Sequence, residues 1–188
     1  PNAGKSTLLS AVSKARPKIA NYPFTTLTPQ PGIAELPGDR RLVIADIPGL
    51  IEGAADGAGL GHDFLRHVER TKVIVHVIDL VPFDESDPIV NHEVIRRELH
   101  AFSPVLAEKP ELVVFNKIDL VDSTERDATI RRVAHAIGLD PTEVVVSSGA
   151  TGENVRDSLE AWQAKADGQC AVDYAFHMIL GGVDDAAT

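Results

Sequence analysis

The chain has 188 residues, 44% of them hydrophobic and 24% charged, enough for one domain with a sizeable core and too few for two. A single cysteine, Cys170, excludes an internal disulfide. With 18 Lys and Arg against 28 Asp and Glu, the net charge of −10 argues against a broad surface for nucleic-acid phosphates, so DNA is not an expected ligand. Apolar runs such as Val73 to Leu80 fall well short of the roughly 20 residues that a membrane span needs, and no basic-then-apolar leader opens the chain. A reducing, cytoplasmic setting, a monomer and no membrane partner are the expectations.

In chain order, Ser6 to Lys14 reads as a helix directly behind a Gly-containing loop. Gly32 to Leu36 and Arg41 to Asp46 are apolar runs around Pro37-Gly38-Asp39, which predicts a hairpin. Between Gly49 and Gly61 stand five Gly and three Ala with little to pack, the composition of a loop that a ligand would have to order. Val73 to Asp79 and Leu112 to Phe115 are continuous apolar runs of the kind buried parallel strands show, with a helix predicted from about Asn91 to Leu106 between them. Val144 to Ser147 is predicted as the last strand, and the acidic end at 184–188 as frayed. Short β-rich runs alternating with helical segments predict an α/β domain, a mostly parallel sheet flanked by helices.

Four of the junctions carry chemistry. Pro1-Asn2-Ala3-Gly4-Lys5-Ser6-Thr7 matches the end of the Gly-x-x-x-x-Gly-Lys-Ser/Thr phosphate loop, whose first Gly would fall before Pro1; a natural start upstream is therefore expected. In such a loop, consecutive amides at a helix start bind phosphate oxygens, the lysine (Lys5) neutralises β/γ charge and the hydroxyl (Ser6) ligates Mg²⁺. Asp46-Ile47-Pro48-Gly49 ends a strand and fits the Asp-x-x-Gly pattern, in which Asp46 holds Mg²⁺ through water and the Gly49 amide meets the γ-phosphate; it is equally a strand-ending turn.

Asn116-Lys117-Ile118-Asp119 directly follows the run Leu112 to Phe115, and so lies at a carboxyl end of a strand, where open α/β sheets bind ligands. A carboxylate at Asp119 can accept from both guanine N1–H and the exocyclic amine. Adenine has no such donor pair and would leave it buried and unpaired, so guanine is expected over adenine. Ser148-Gly149-Ala150, after the final predicted strand, occupies the place of a Ser-Ala-x loop that touches guanine O6, with Gly149 where Ala is usual.

The order of these motifs, with Tyr22-Pro23-Phe24-Thr25-Thr26-Leu27 between the first and second, resembles the translation-factor-related GTPases and specifically the Obg family. The most telling stretch is Gly49-Leu50-Ile51-Glu52-Gly53-Ala54-Ala55 with Gly59 to Thr71, similar to the Obg second switch. The resemblance covers Pro1 to about Asp157, read as a G domain over residues 1–157. It implies a P-loop fold, GTP hydrolysis to GDP and phosphate with Mg²⁺, and a role with the large ribosomal subunit.

By the same resemblance Thr26 ligates Mg²⁺ together with Ser6 and Asp46. Lys5, Thr26 and Gly49 act on the γ-phosphate, and Phe24 and Thr25 line the nucleotide beside Asn2, Ala3, Thr7, Ile47, Pro48, Lys117 and Ile118. Leu50 stands where Ras-like proteins carry a water-orienting Gln, so intrinsic hydrolysis should be slow, and Asn2 could hold K⁺ as related GTPases lacking that Gln do. Arg66, Arg70 and Lys72 could form an RNA-facing patch, although a solvated helix face is the commoner meaning of such a cluster.

From about Ser158 the resemblance stops. Residues 158–188 form a tail in which Trp162 to Met178 is similar to a segment of the dihydropyrimidinase and hydantoinase family, without that family's metal ligands. Cys170 and His177 are read as packing residues of a short strand, and the seven His residues show no zinc-ligand spacing. The strand that precedes a phosphate loop in this fold is missing from the chain, which predicts two exposed sheet edges. An inactive GTPase fragment is the second reading, and an ATPase a distant third.

Overall fold

A computed structural model describes residues 3–5, 7–8, 31–36, 40–46, 72–148 and 174–180. Among the described residues six strands form one sheet: β1 (Pro31–Leu36), β2 (Arg40–Asp46), β3 (Val73–Asp79), β4 (Glu111–Asn116), β5 (Val145–Val146) and β6 (Tyr174–Leu180), in the spatial order β1-β2-β6-β3-β4-β5. The hairpin expected around Pro37 is present, with β1 and β2 antiparallel from Pro31 opposite Ala45 to Leu36 opposite Arg40. Every other pairing is parallel.

The centre follows from composition. All seven residues of β3, Val-Ile-Val-His-Val-Ile-Asp, are buried, and β4 is buried from Leu112 to Asn116. Such runs suit a strand covered on both faces. The register sets Ile78 beside Phe115 and Asp79 beside Asn116, so neighbouring strands end together on polar residues.

Helix α1 (Pro88–Phe102) starts earlier than expected because the Asp87 carboxylate accepts from the Ile89 amide at 2.7 Å and Pro88 fills the first turn, where no N–H is needed. It buries Asn91, Ile95 and Leu99, one residue per turn. The single helix expected to reach Leu106 is broken at Ser103, which has extended backbone and is followed by Pro104; a short second helix, α2 (Pro104–Ala107), continues. Helix α3 (Arg126–Ala136) lies where the sequence signals no element, since its charged residues dilute the apolar period; it buries only Val133 and Ala134. Those two join Ile78, Leu80, Val113, Phe115, Ile118, Val121 and Val144 in a core under the carboxyl ends of β3 and β4.

Two expectations are corrected. The sheet has no gap beside β3: β6 runs parallel to both neighbours, with Phe176 opposite Ile44 on one side and Met178 opposite Val75 on the other. The central strand position that would precede the phosphate loop is thus taken by a strand from the far end of the chain, which satisfies the ladder groups of β2 and β3. Likewise Val144 to Ser147 is the edge of the sheet but not its last strand in sequence; it pairs only at Val145 and Val146. His177 lies within β6, while Cys170 lies outside the described residues. Among the described residues no helix is long and apolar enough to cross a membrane.

Candidate functional site

Ala3, Gly4 and Lys5 lead into a helical turn closed by the Leu8 amide on the Gly4 carbonyl at 2.8 Å, and Leu8 is fully buried. The turn is seated against the end of β4: Asn116 Nδ2 donates to the Ala3 carbonyl at 2.7 Å, and Asn116 is only 1% exposed. Residues far apart in sequence, Ala3 beside Gly4-Lys5 and Asn116 of Asn116-Lys117-Ile118-Asp119, are therefore joined through one side chain.

Gly4 has φ +84°, a conformation costly for any residue with a Cβ, and a Cβ placed there would collide with Asn116 Nδ2. Gly4→Ala is accordingly expected to lower stability by about 1–3 kcal/mol, read as a shifted urea midpoint with unchanged slope. A midpoint equal to that of the parent chain would show that the loop does not need this close approach.

On its other side Asn116 Oδ1 accepts from Ser147 Oγ at 3.2 Å, and the Ser147 amide donates to the Phe115 carbonyl at 2.8 Å. Ile118, 3% exposed, anchors the turn Ile118–Leu120 that carries Asp119, and its amide reaches the Ser147 carbonyl at 3.4 Å. Asp119 Oδ1 is buried and has no hydrogen-bond partner among the described residues. A buried carboxylate oxygen left unpaired costs free energy that a ligand donor would recover.

Lys117 adopts the left-handed conformation, φ 62° and ψ 33°, and its ammonium pairs with Asp79 Oδ2 at 2.6 Å. Asp79 and Ser147 are the two contributors that sequence reasoning missed. The signal for Asp79 was its place at the end of an apolar run beside the one ending in Asn116; for Ser147 it was adjacency to the Ser148 motif.

Of the expected site residues, Ala3, Gly4, Asn116, Lys117, Ile118 and Asp119 are brought to one end of the sheet. Ser148 is fully buried beside Ser147, Thr7 is exposed on the helical turn, and Asp46 ends β2. Asn2, Ser6, Phe24, Thr25, Thr26, Ile47, Pro48, Gly49, Leu50, Gly149 and Ala150 lie outside the described residues, as do Arg66 and Arg70 of the basic cluster.

One cluster arises that spacing did not signal. Donor atoms of His76, His92 and Glu111 lie within 4.8 Å of one another. Both Glu111 oxygens are already engaged, Oε1 by His76 Nδ1 at 2.7 Å and Oε2 by Arg96 Nη1 at 3.0 Å, and Arg96 Nη2 donates to the Ala107 carbonyl at 2.9 Å. The two imidazoles are stacked, centroids 4.9 Å apart at 18°. Burial and the neighbouring His76 push the His92 pKa down to about 4, leaving a neutral ring near pH 7. Burial acts to raise the Glu111 pKa, but the hydrogen bond and charge of His76, with Arg96 and His92, leave it below the ordinary value. The cluster is an ion-paired tie between β3, β4 and α1 in preference to a metal centre.

Comparison with known proteins bears on the family and the fold. Residues 1–117 match the family described as 50S ribosome-binding GTPase. The chain is 58% identical over 161 residues to GTPase Obg of Symbiobacterium thermophilum, covering 86% of this chain and 37% of that protein. It is 52% identical over 160 residues to GTPase Obg of Aquifex aeolicus, covering 85% and 46%. The chain thus spans less than half the length of these curated relatives. In fold, it resembles a variant of Aquifex aeolicus Era bound to GDP and aluminium fluoride, with TM-score 0.60 and 24% identity over 93% of this chain and 56% of that one. It also resembles the GTP-binding protein EngB, with TM-score 0.52 and 14% identity over 89% and 95%. By its match over residues 1–117, the chain belongs to the 50S ribosome-binding GTPase family, and over about 160 residues it is similar to GTPase Obg.

Proposed function

We propose that the chain binds guanine nucleotide at the carboxyl ends of β3 and β4 and hydrolyses GTP to GDP and phosphate as an Obg-type switch. The observation that carries this reading is the buried Asp119 Oδ1, without a hydrogen-bond partner among the described residues, next to Asn116, which is itself bonded to the Ala3 carbonyl. A base reader physically joined to a phosphate loop is suited to grip both ends of one nucleotide. In this reading Asp119 accepts from guanine and the Lys117 stem lies along the base. Ser148, Gly149 and Ala150 approach its O6, and Lys5 neutralises β/γ charge. Ser6, Thr26 and Asp46 supply hard oxygen donors of the kind Mg²⁺ takes, and Mg²⁺ in turn would draw charge from the β- and γ-phosphates. Phe24 and Thr25 border the nucleotide, and Gly49 senses its γ-phosphate. Leu50 cannot orient water, which makes turnover slow, and Asn2 is offered as a K⁺ ligand; equal hydrolysis rates in KCl and NaCl would remove the potassium role.

Large ribosomal subunit binding in the cytoplasm is proposed from the family description and the Obg relatives, which are longer than this chain. Residues 1–157 are the proposed G domain. The tail 158–188, with its hydantoinase-like segment, is given no catalytic role.

The test is a titration of the purified chain with fluorescent GDP in Mg²⁺ and K⁺, with GTP and ATP as competitors, followed by phosphate release. Displacement by GTP and not ATP, with slow Mg²⁺-dependent release, is expected. Displacement by ATP would sink the guanine reading, and binding without release would leave a nucleotide-binding fragment in place of an enzyme.

A further inference from the structure

We propose that Asp79 is a positioning residue for base binding: its carboxylate pins the Lys117 ammonium, so that the lysine stem forms a fixed wall along a bound guanine. The inference rests on the guanine reading above and extends it to a residue outside all the motifs. Lys117 Nζ lies 2.6 Å from Asp79 Oδ2. The carboxylate is itself held, because Oδ1 accepts from the Val81 amide at 3.0 Å and the residue is only 7% exposed.

Lys117 is constrained at both ends. Its backbone is left-handed between Asn116 and the turn bearing Asp119, a conformation that a non-glycine residue keeps only when its surroundings enforce it. Its far end is an ion pair at the end of the neighbouring strand, where register puts Asp79 next to Asn116. A flexible lysine loses rotamer freedom when it packs along a ligand; one already anchored has lost that freedom before the ligand arrives. The anchor also keeps the ammonium turned toward β3, so the methylenes and not the charge face the base. Asp79 makes this contribution through Lys117 alone, and it leaves the donor and acceptor reading by Asp119 untouched.

The experiment uses the whole chain, with equilibrium binding and dissociation rates for fluorescent GDP and IDP. Asp79→Asn should weaken both by a similar factor, roughly tenfold as for loss of one charge-assisted contact, through faster dissociation and with the GDP-to-IDP preference intact. Asp79→Glu should recover part of the loss. In a Lys117→Met background, Asp79→Asn should change affinity by less than about twofold, because the partner it acts through is gone.

Three results would overturn the proposal. They are unchanged GDP affinity in Asp79→Asn, a loss of equal size in the Lys117→Met background, as simple unfolding would give, and a selective loss of GDP over IDP. The parent chain separates the two levels of inference: if it fails to prefer GDP over ADP, the guanine reading itself falls, whereas normal parent binding with an indifferent Asp79→Asn removes Asp79 alone.

Discussion

Asp119→Asn is expected to lower affinity for GDP and GTP by about a hundredfold or more and to move preference toward xanthine nucleotides. The turn that carries Asp119 is held by the Leu120 amide on the Lys117 carbonyl at 3.0 Å and the Val121 amide on the Ile118 carbonyl at 3.1 Å, so the carboxylate has little freedom to move away from a mismatched ligand. Its Oδ1 is buried with no hydrogen-bond partner among the described residues. Each hydrogen bond from guanine to an ionised acceptor contributes about 1.5–3 kcal/mol, and a base offering two donors engages both oxygens. An amide at 119 puts an N–H against one of those donors, which removes one bond and adds a repulsion. Xanthine, with a carbonyl where guanine has its amine, restores the match. Competition of GDP and XDP against fluorescent GDP on both chains measures the change, and an unaltered GDP affinity would take Asp119 out of the site.

The second large effect is expected from Asn116→Ala, which should lower both the melting temperature of the free chain and its affinity for any nucleotide. Asn116 is 1% exposed and joins three segments, with the Ala3 carbonyl on Nδ2 and the Ser147 hydroxyl on Oδ1. Truncation leaves a buried carbonyl and a buried hydroxyl without their partner, each costing about 1–3 kcal/mol. Since 1 kcal/mol shifts the midpoint of a domain of this size by about 2–4 °C, a fall of roughly 5–15 °C is expected by calorimetry. Asn116→Asp separates the two halves of the role, because it keeps the acceptor for Ser147 and removes the donor to Ala3. When Asn116→Ala is combined with Gly4→Ala, the loss should be less than additive, since the amide that a Cβ at Gly4 would meet is no longer there. Strict additivity would mean that the loop and β4 are independent.

Much of the site was legible from local chemistry. The α/β class, the hairpin, the two buried strands and the placing of Asn116 to Asp119 at a strand end follow from runs and punctuation within a few residues, and these appear as expected. Helix boundaries were less legible because they turn on single contacts: Asp87 reaching the Ile89 amide begins α1, and extended Ser103 before Pro104 ends it. Helix α3 escaped because most of its surface faces water, so that only Val133 and Ala134 carry the core signal.

Sequence alone determined which chemical groups are available: a Gly-Lys-Ser run ahead of a helical turn, a carboxylate in an Asn-Lys-Ile-Asp run and strands whose continuous apolar character demands burial on both faces. Tertiary structure decided what these groups touch. The pairing of Lys117 with Asp79 and of Asn116 with Ala3 depends on strand register and on loops meeting at one end of the sheet, which no local pattern encodes. The same holds for β6. Its residues read locally only as a short strand, and their place between β2 and β3 is selected by the backbone hydrogen bonds those neighbours offer and by the cost of leaving them unpaired in the interior.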